Sequence, residues 1–190
     1  TSYGLTRDLL SFWQKNNFKT VKLGTKVDGS SGLRSIMMMQ ALSERATILF
    51  IQHTSVFFKA FIFHLNRHHQ TLPSTILSSI LQDVNTPLAL GLENTEMALE
   101  RSLRAKKITA FAQAARSFDD TQFELFEWIV VAISTPQWQV LSDGEREILI
   151  TQVLQNRPYK TCLKHSVLTG KKQLVTALRR AVSSLLNAET

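Results

Sequence analysis

Apolar residues recur along this chain in two rhythms, one strand-like and one helical, and the change between them divides the sequence. Leu9, Leu10, Phe12 and Trp13 supply one apolar face and predict a helix over Arg7–Asn16. Thr6 can cap it by accepting a free N–H of the first turn, Asp8 suits the positive end of its dipole, and Asn16-Asn17 can end it. Alternation then predicts a strand over Phe18–Leu23. A stretch with three glycines (Gly24, Gly29, Gly32) follows, and then a second strand over Ser35–Leu42. Helix, strand, loop, strand reads as the end of a mixed α/β unit. Forty-three residues are too few to close a core, so its remaining strands are expected from elsewhere.

From Glu44 onward the rhythm is helical. It predicts helices over Glu44–His69, Thr75–Val84, Thr95–Ser117 and Thr121–Ile133, the last with Phe123, Phe126, Ile129, Val130 and Ile133 inward. Turn signals stand at Asn85-Thr86-Pro87, Gly91 and Thr135-Pro136. Ser142-Asp143-Gly144-Glu145 has the spacing of a capping box, opening a helix to about Asn156. Pro158 separates it from a final basic pair of helices joined near Gly170. The fold class is therefore α+β, with residues 1–43 as an α/β end-piece and 44–190 as an all-α domain; no internal repeat is visible.

Composition narrows the class. At 190 residues, 44% hydrophobic and 19% charged, the chain is globular and not disordered. No uncharged apolar run approaches the ~20 residues of a membrane span, Val56–Leu65 reads as a buried helix, and no membrane partner is expected. Cys162 is the single cysteine, which excludes an intrachain disulfide, argues against a cysteine-based zinc site and makes a reducing cytoplasm the default location. The opening Thr1-Ser2-Tyr3-Gly4 has neither an initiator Met nor a signal pattern, so the chain reads as a piece of a longer protein.

Charge is unevenly placed. Residues 1–43 carry +4, residues 44–147 carry −3, and residues 148–188 carry seven basic side chains and no acidic one. Those seven are Arg157, Lys160, Lys164, Lys171, Lys172, Arg179 and Arg180. A stretch of 41 residues without a carboxylate is the footprint of a phosphate-backbone binder, or of a merely solvated basic surface. Interleaved apolar residues argue for a folded face and tilt the reading toward RNA.

Other constellations fall away. His64 and His68 lie one helical turn apart, but the zinc-protease pattern needs Glu where Leu65 stands, so no metal site is expected. Gly170-Lys171 lacks the earlier glycine of a phosphate loop, where His165 stands, and has Lys172 in place of its Ser/Thr. Cys162 has no identifiable base and reads as a small buried hydrophobe. Met37-Met38-Met39 reads as strand packing.

The run Ser2-Tyr3-Gly4-Leu5-Thr6-Arg7-Asp8-Leu9-Leu10-Ser11-Phe12-Trp13-Gln14-Lys15-Asn16-Asn17-Phe18, continued by Val21-Lys22-Leu23-Gly24 and Ser31-Gly32, closely resembles one region of the RNA cytidine N4-acetyltransferases. That region is the last part of their GNAT acetyltransferase domain. Asn17 stands where the family usually has Gly, and Asn is the next best residue if the position needs a positive φ. Arg157-Pro158 and Leu168-Thr169-Gly170-Lys171-Lys172 resemble the basic C-terminal signature of the bacterial branch, the tRNA(Met) cytidine acetyltransferases. The likeness is closest over 2–43, thinner over 151–180 and faintest over 44–150.

The resemblance implies a C-terminal piece of an enzyme that moves acetyl from acetyl-CoA to N4 of the wobble cytidine of elongator tRNA(Met). In the full enzyme an upstream helicase-like module uses ATP, and a helical tail holds tRNA. It implies further that Asp8 and Lys15, two helical turns apart on one stripe, line the acetyl-CoA site, with Lys15 meeting a CoA phosphate. The glycine-rich CoA loop and the Walker loop are both missing from these residues, so this piece alone is expected to be inactive; no catalytic residue can be named. Two rivals remain: a non-catalytic basic helical adaptor for an acidic partner, and a GNAT enzyme acting on a protein or small-molecule amine.

Overall fold

The computed structural model describes residues 1–84, 96–160 and 170–189. Among these the chain is α+β, with three strands and seven α-helices, in two compact units, Thr1–Gly91 and Leu92–Thr190.

The first unit runs β1 (Ser2–Gly4), α1 (Arg7–Lys15), β2 (Lys19–Val27), β3 (Arg34–Met39), α2 (Glu44–His64) and α3 (Ser74–Val84). The strands form an antiparallel sheet in the order β1-β3-β2, with Tyr3 and Leu23 both opposite Ile36 and Thr20 opposite Met38. Period-two alternation sends Ile36 and Met38 inward and Ser35, Met37 and Met39 outward, so only one of the three consecutive methionines packs. Against Ile36, Met38, Thr20 and Leu23 lie α2 and α3, contributing Phe57, Phe58, Phe61, Leu77, Ile80 and Leu81 to the interior. Residues 1–43 indeed do not close a core alone, but helices from the same chain complete it. Texture changes at Ser43, whereas compactness divides at Gly91, because α2 and α3 cover the sheet.

Local signals are realised closely. The Thr6 hydroxyl accepts from the Leu9 N–H at 3.3 Å. Asn17 has φ 63°, the left-handed conformation that its place after a helix requires, and the Phe18 N–H returns to the Trp13 carbonyl at 3.0 Å. At Gly24 a Cβ would stand 2.5 Å from the Ser35 hydroxyl and 3.3 Å from the Ser35 carbonyl, so a larger residue would require the Ser35 side chain to turn away. β1 was not expected: three residues are too short to show a period.

Side-chain bonds tie α1 and β2 to α3. The Gln14 amide donates to the Ser79 carbonyl at 3.1 Å and accepts from the Ser79 hydroxyl at 2.8 Å. Lys19 meets the nearly buried Asp83 carboxylate at 2.7 Å. The Tyr3 hydroxyl donates to Met38 Sδ at 2.9 Å, and burial together with the Asp83 charge pushes its pKa up to about 12.

Helix α2 ends at His64, five residues before the predicted stop. Of the stretch Val56–Leu65 expected to be buried, Phe57, Phe58, Phe61 and Leu65 are inside, but Val56 and Phe63 face solvent, as do Ile48, Leu49 and Ile51 earlier in the helix. At 21 residues and mean hydropathy 1.5 it is long and apolar enough, by length and composition, to cross a membrane.

The second unit runs α4 (Glu96–Ala112), α5 (Gln122–Ala132), a 3-10 turn (Pro136–Val140), α6 (Asp143–Ile148), a π-helical turn (Leu149–Leu154) and α7 (Lys171–Glu189). The Ser142–Glu145 capping box is formed in both directions. Trp138, Phe111, Leu125, Ile129, Leu154 and Leu178 are fully or almost fully buried. In α5 Ile129, Val130 and Ile133 are buried as expected and Leu125 joins them, whereas Phe123 is 68% exposed, which corrects the expectation for that residue alone. The turn signals at 85–91, Cys162 and the first of the two final helices lie outside the described residues.

The three histidines sit where the chain leaves α2, and no cluster of metal-binding side chains forms among the described residues. His69 is 1% exposed against the Phe61 ring, and burial, aided by the charges of Arg34, His64 and His68, lowers its pKa from 6.5 to about 4. The unfolded chain therefore binds this proton first as pH falls, so the stability that neutral His69 preserves above pH 6.5 is lost between about pH 6.5 and 4. Urea unfolding at pH 7.5 and 5 should show a lower midpoint at pH 5. His69→Gln should shrink that difference; an undiminished difference would place the titration elsewhere.

Candidate nucleic-acid interface

The two residues assigned to a cofactor by resemblance stand at opposite ends of α1. Asp8 occupies the first turn and Lys15 the last, both exposed, with each charge matched to the helix dipole. They share a stripe, and the opposite side of α1 is anchored by buried Leu10 and by the Gln14–Ser79 pair. Dipole compensation accounts for both residues. Two turns of helix keep them apart, so the fold does not bring their charged groups together.

The basic residues of the second unit separate into distinct groups. Arg179 turns inward: its guanidinium donates to the Phe111 carbonyl at 3.1 Å and the Arg116 carbonyl at 3.2 Å, and lies 5.3 Å above the Phe111 ring. It thereby satisfies one carbonyl in the last turn of α4 and one in the turn beyond it, around Ala114, which is held at φ 62°, a left-handed conformation costing a non-glycine residue about 1–2 kcal/mol. Lys172 and Arg179 do share a helical stripe, but only Lys172 is solvent-facing. Arg180 is exposed and stands 3.7 Å from Glu145. Nine residues separate it from Lys171, about two and a half turns, so the two project from opposite sides of α7.

Arg157 and Lys171 converge. Both line a groove of about 260 Å³ whose floor includes Phe118, Leu174 and Leu178 and whose wall includes Tyr159. Its geometry begins in the π-helical turn, closed by the Gln155 N–H to the Ile150 carbonyl at 2.9 Å. Asn156 follows at φ 47°, and the Arg157 N–H returns to the Thr151 carbonyl at 2.9 Å, a left-handed cap that swings Arg157, Pro158 and Tyr159 to the groove. Lys171 is loosely held, 3.9 Å from Asp119 with both side chains exposed. Lys160 is exposed beside Tyr159, and Lys164 lies outside the described residues. Sequence reasoning found the cations but missed the groove, whose one visible signal was the turn-forming, aromatic run Asn156-Arg157-Pro158-Tyr159.

Comparison with known proteins bears on all of this. No family model matches the chain. Three curated proteins, each described as tRNA(Met) cytidine acetyltransferase TmcA, are similar along nearly all of it. That of Vibrio cholerae serotype O1 is 28% identical over 98% of this chain and 23% of its own length. Those of Nitrosococcus halophilus and Haloarcula marismortui are 24% and 25% identical over 98% and 97% of the chain, and 24% and 23% of their own lengths. The chain is similar, end to end, to tRNA(Met) cytidine acetyltransferases. It spans about a quarter of the length of these relatives.

In this relative of the tRNA(Met) cytidine acetyltransferases, then, Arg179 braces the fold while Lys160, Lys171, Lys172 and Arg180 face water. Arg179→Ala should cost about 2 kcal/mol, since it removes two charge-assisted bonds to carbonyls at a strained helix end. Lys172→Ala should change stability by less than about 0.5 kcal/mol. Urea unfolding of both variants decides this: equal stability would refute the bracing role of Arg179.

Proposed function

We propose that this chain forms part of a tRNA(Met) cytidine acetyltransferase, an enzyme moving acetyl from acetyl-CoA to the N4 amine of the wobble cytidine in elongator tRNA(Met). In that reaction the thioester C–S bond breaks, an amide C–N bond forms, and the amine loses a proton as the CoA thiol leaves. The observation that carries the reading is similarity to three such proteins over 97–98% of the chain.

On this reading residues 1–43 are the last part of the GNAT fold, with α1 and its exposed stripe beside acetyl-CoA. Asp8 and Lys15 are its candidate contacts, Lys15 toward a phosphate. The motif supports this through its geometry: Asn17 has the positive φ that the family's usual glycine would adopt freely, and Gly32 has φ 67°. The second unit is the RNA-facing part. Lys160, Lys171 and Lys172 are the exposed side chains that would meet phosphates, with Arg157, Lys164 and Arg180 as further candidates, and such contacts position RNA without reading its sequence. ATP belongs to the module upstream in the complete enzyme, and the whole acts in the cytoplasm.

The 190-residue chain should bind an elongator tRNA(Met) transcript with an affinity that falls steeply with salt, through counterion release. Replacing Lys160, Lys171 and Lys172 together by Ala should weaken binding and flatten the dependence of log affinity on log salt, by roughly one unit for each phosphate no longer neutralised. Unchanged affinity and slope would remove the RNA assignment of these residues. A chain indifferent to tRNA that binds an acidic protein instead would favour the adaptor reading.

A further inference from the structure

Helix α2 carries two apolar faces, and the first unit uses one of them. Phe57, Phe58, Phe61 and the following Leu65 form the side that enters the core. No residue from Glu44 to Val56 is buried, so the N-terminal part of the helix lies outside that core. A second stripe runs about a third of a turn away. Ala46, Leu49, His53, Val56, Ala60 and Phe63 follow one another at alternating intervals of three and four residues, the spacing of a coiled-coil seam. Its three large members, Leu49, Val56 and Phe63, are 55, 69 and 73% exposed. A helix in water draws most of its stability from packing its apolar residues, and nothing among the described residues covers these three.

The stripe is complementary to itself. Two copies laid antiparallel about a two-fold axis between Thr54 and Ser55 set Ala46 against Phe63, Leu49 against Ala60 and His53 against Val56, each layer occurring twice. Small residues thus oppose large ones in the outer layers, as close helix packing needs. A parallel pair in register would stack Ala46 on Ala46 and Phe63 on Phe63, alternating thin and thick layers. Charge agrees with the antiparallel register. Arg45, Gln52 and Lys59 flank the stripe, and Gln52 falls beside Lys59 of the other copy. The nearest like charges, Arg45 and the other copy's Lys59, are offset by five residues, about 7.5 Å along the axis. Lys59 also makes a bilayer interior a poor occupant of this helix.

We propose that α2 is a self-association surface, through which two copies of this chain pair by antiparallel α2 helices. The uncovered N-terminal part of each helix then packs against the C-terminal part of the other, which its own core already holds. The stripe is about 27 Å long and ~10 Å wide, at the low end of specific interfaces, so the association is weak, with a dissociation constant on the order of tens of micromolar. Each copy carries a formal net charge of +7, so repulsion opposes pairing at low salt and screening strengthens it.

Sedimentation equilibrium of the 190-residue chain from about 5 to 300 μM, at low salt and at about 0.5 M NaCl, tests this. The wild type should dimerise, and more tightly at high salt, the opposite of the salt dependence expected for tRNA binding. Leu49→Ala and Ala60→Leu should each weaken the dimer roughly tenfold, one by leaving gaps and the other by overfilling, because each spoils two layers. The double variant should return to within about threefold of wild type, since every such layer again holds one Leu and one Ala. Both positions are exposed in the single chain, and circular dichroism checks that the variants fold. A wild type that stays monomeric at high salt overturns the proposal, whether it remains free or binds phosphatidylglycerol vesicles or an acidic helical peptide instead. Dimerisation without rescue in the double variant also overturns it, because the contact then lies elsewhere or runs parallel. A chain that dimerises in this way yet binds no tRNA would keep this surface and lose the functional reading.

Discussion

A sheet of three strands has two open edges and a face that must be kept from water, and the arrangement of the first unit follows from that constraint. β1 and β2 flank β3, and the inward residues Thr20, Leu23, Ile36 and Met38 make too small a patch to form a core without a second layer. α2 and α3 supply that layer, with Phe57, Phe58, Phe61, Leu77, Ile80 and Leu81, each large side chain contributing on the order of 1.5–3 kcal/mol when buried. Once α3 is fixed on the sheet, the Gln14–Ser79 and Lys19–Asp83 pairs fix α1 and the start of β2 against it. The exposed stripe carrying Asp8 and Lys15 therefore belongs to a helix whose opposite side is pinned, which gives a short nine-residue element a defined orientation.

Features set by local chemistry were legible in the residues. Thr6 as a cap, Asn17 as a left-handed helix stop and the Ser142–Glu145 capping box each depend on a few neighbouring atoms, and each formed as read. Features set by tertiary contact were not legible. In α5 Ile129, Val130 and Ile133 turned inward as read, but in a helix apolar almost all round the choice between Phe123 and Leu125 at its start depends on which side faces a neighbour. The break in texture at Ser43 marks where strands give way to helices, yet the first two helices serve the sheet. The groove of the candidate interface was hidden for the same reason: Phe118, Tyr159 and Leu174 belong to three separate stretches of chain.

Charge shows the limit most clearly. Seven basic residues in 41 positions look equivalent in one dimension, but their surroundings differ. Arg179 is committed to two carbonyls and an aromatic face, a task suited to the planar fork of a guanidinium. Lys172, two turns earlier on the same stripe, faces solvent. Counting cations thus overstates how many can meet a partner.

The separation of the remaining cations has a consequence for any polyanion laid against α7. Lys171 and Arg180 are nine residues apart, about 13 Å along the axis and on opposite sides of the helix. At physiological ionic strength the Debye length is about 8 Å, so the two act almost independently and cannot share one phosphate track. Lys160, Lys171 and Lys172 are the exposed cations that lie away from Arg180 in the sequence. The shaped feature beside Lys171 is the groove walled by Tyr159. Positive charge distributed in this way fixes no single register on a polyanion by itself.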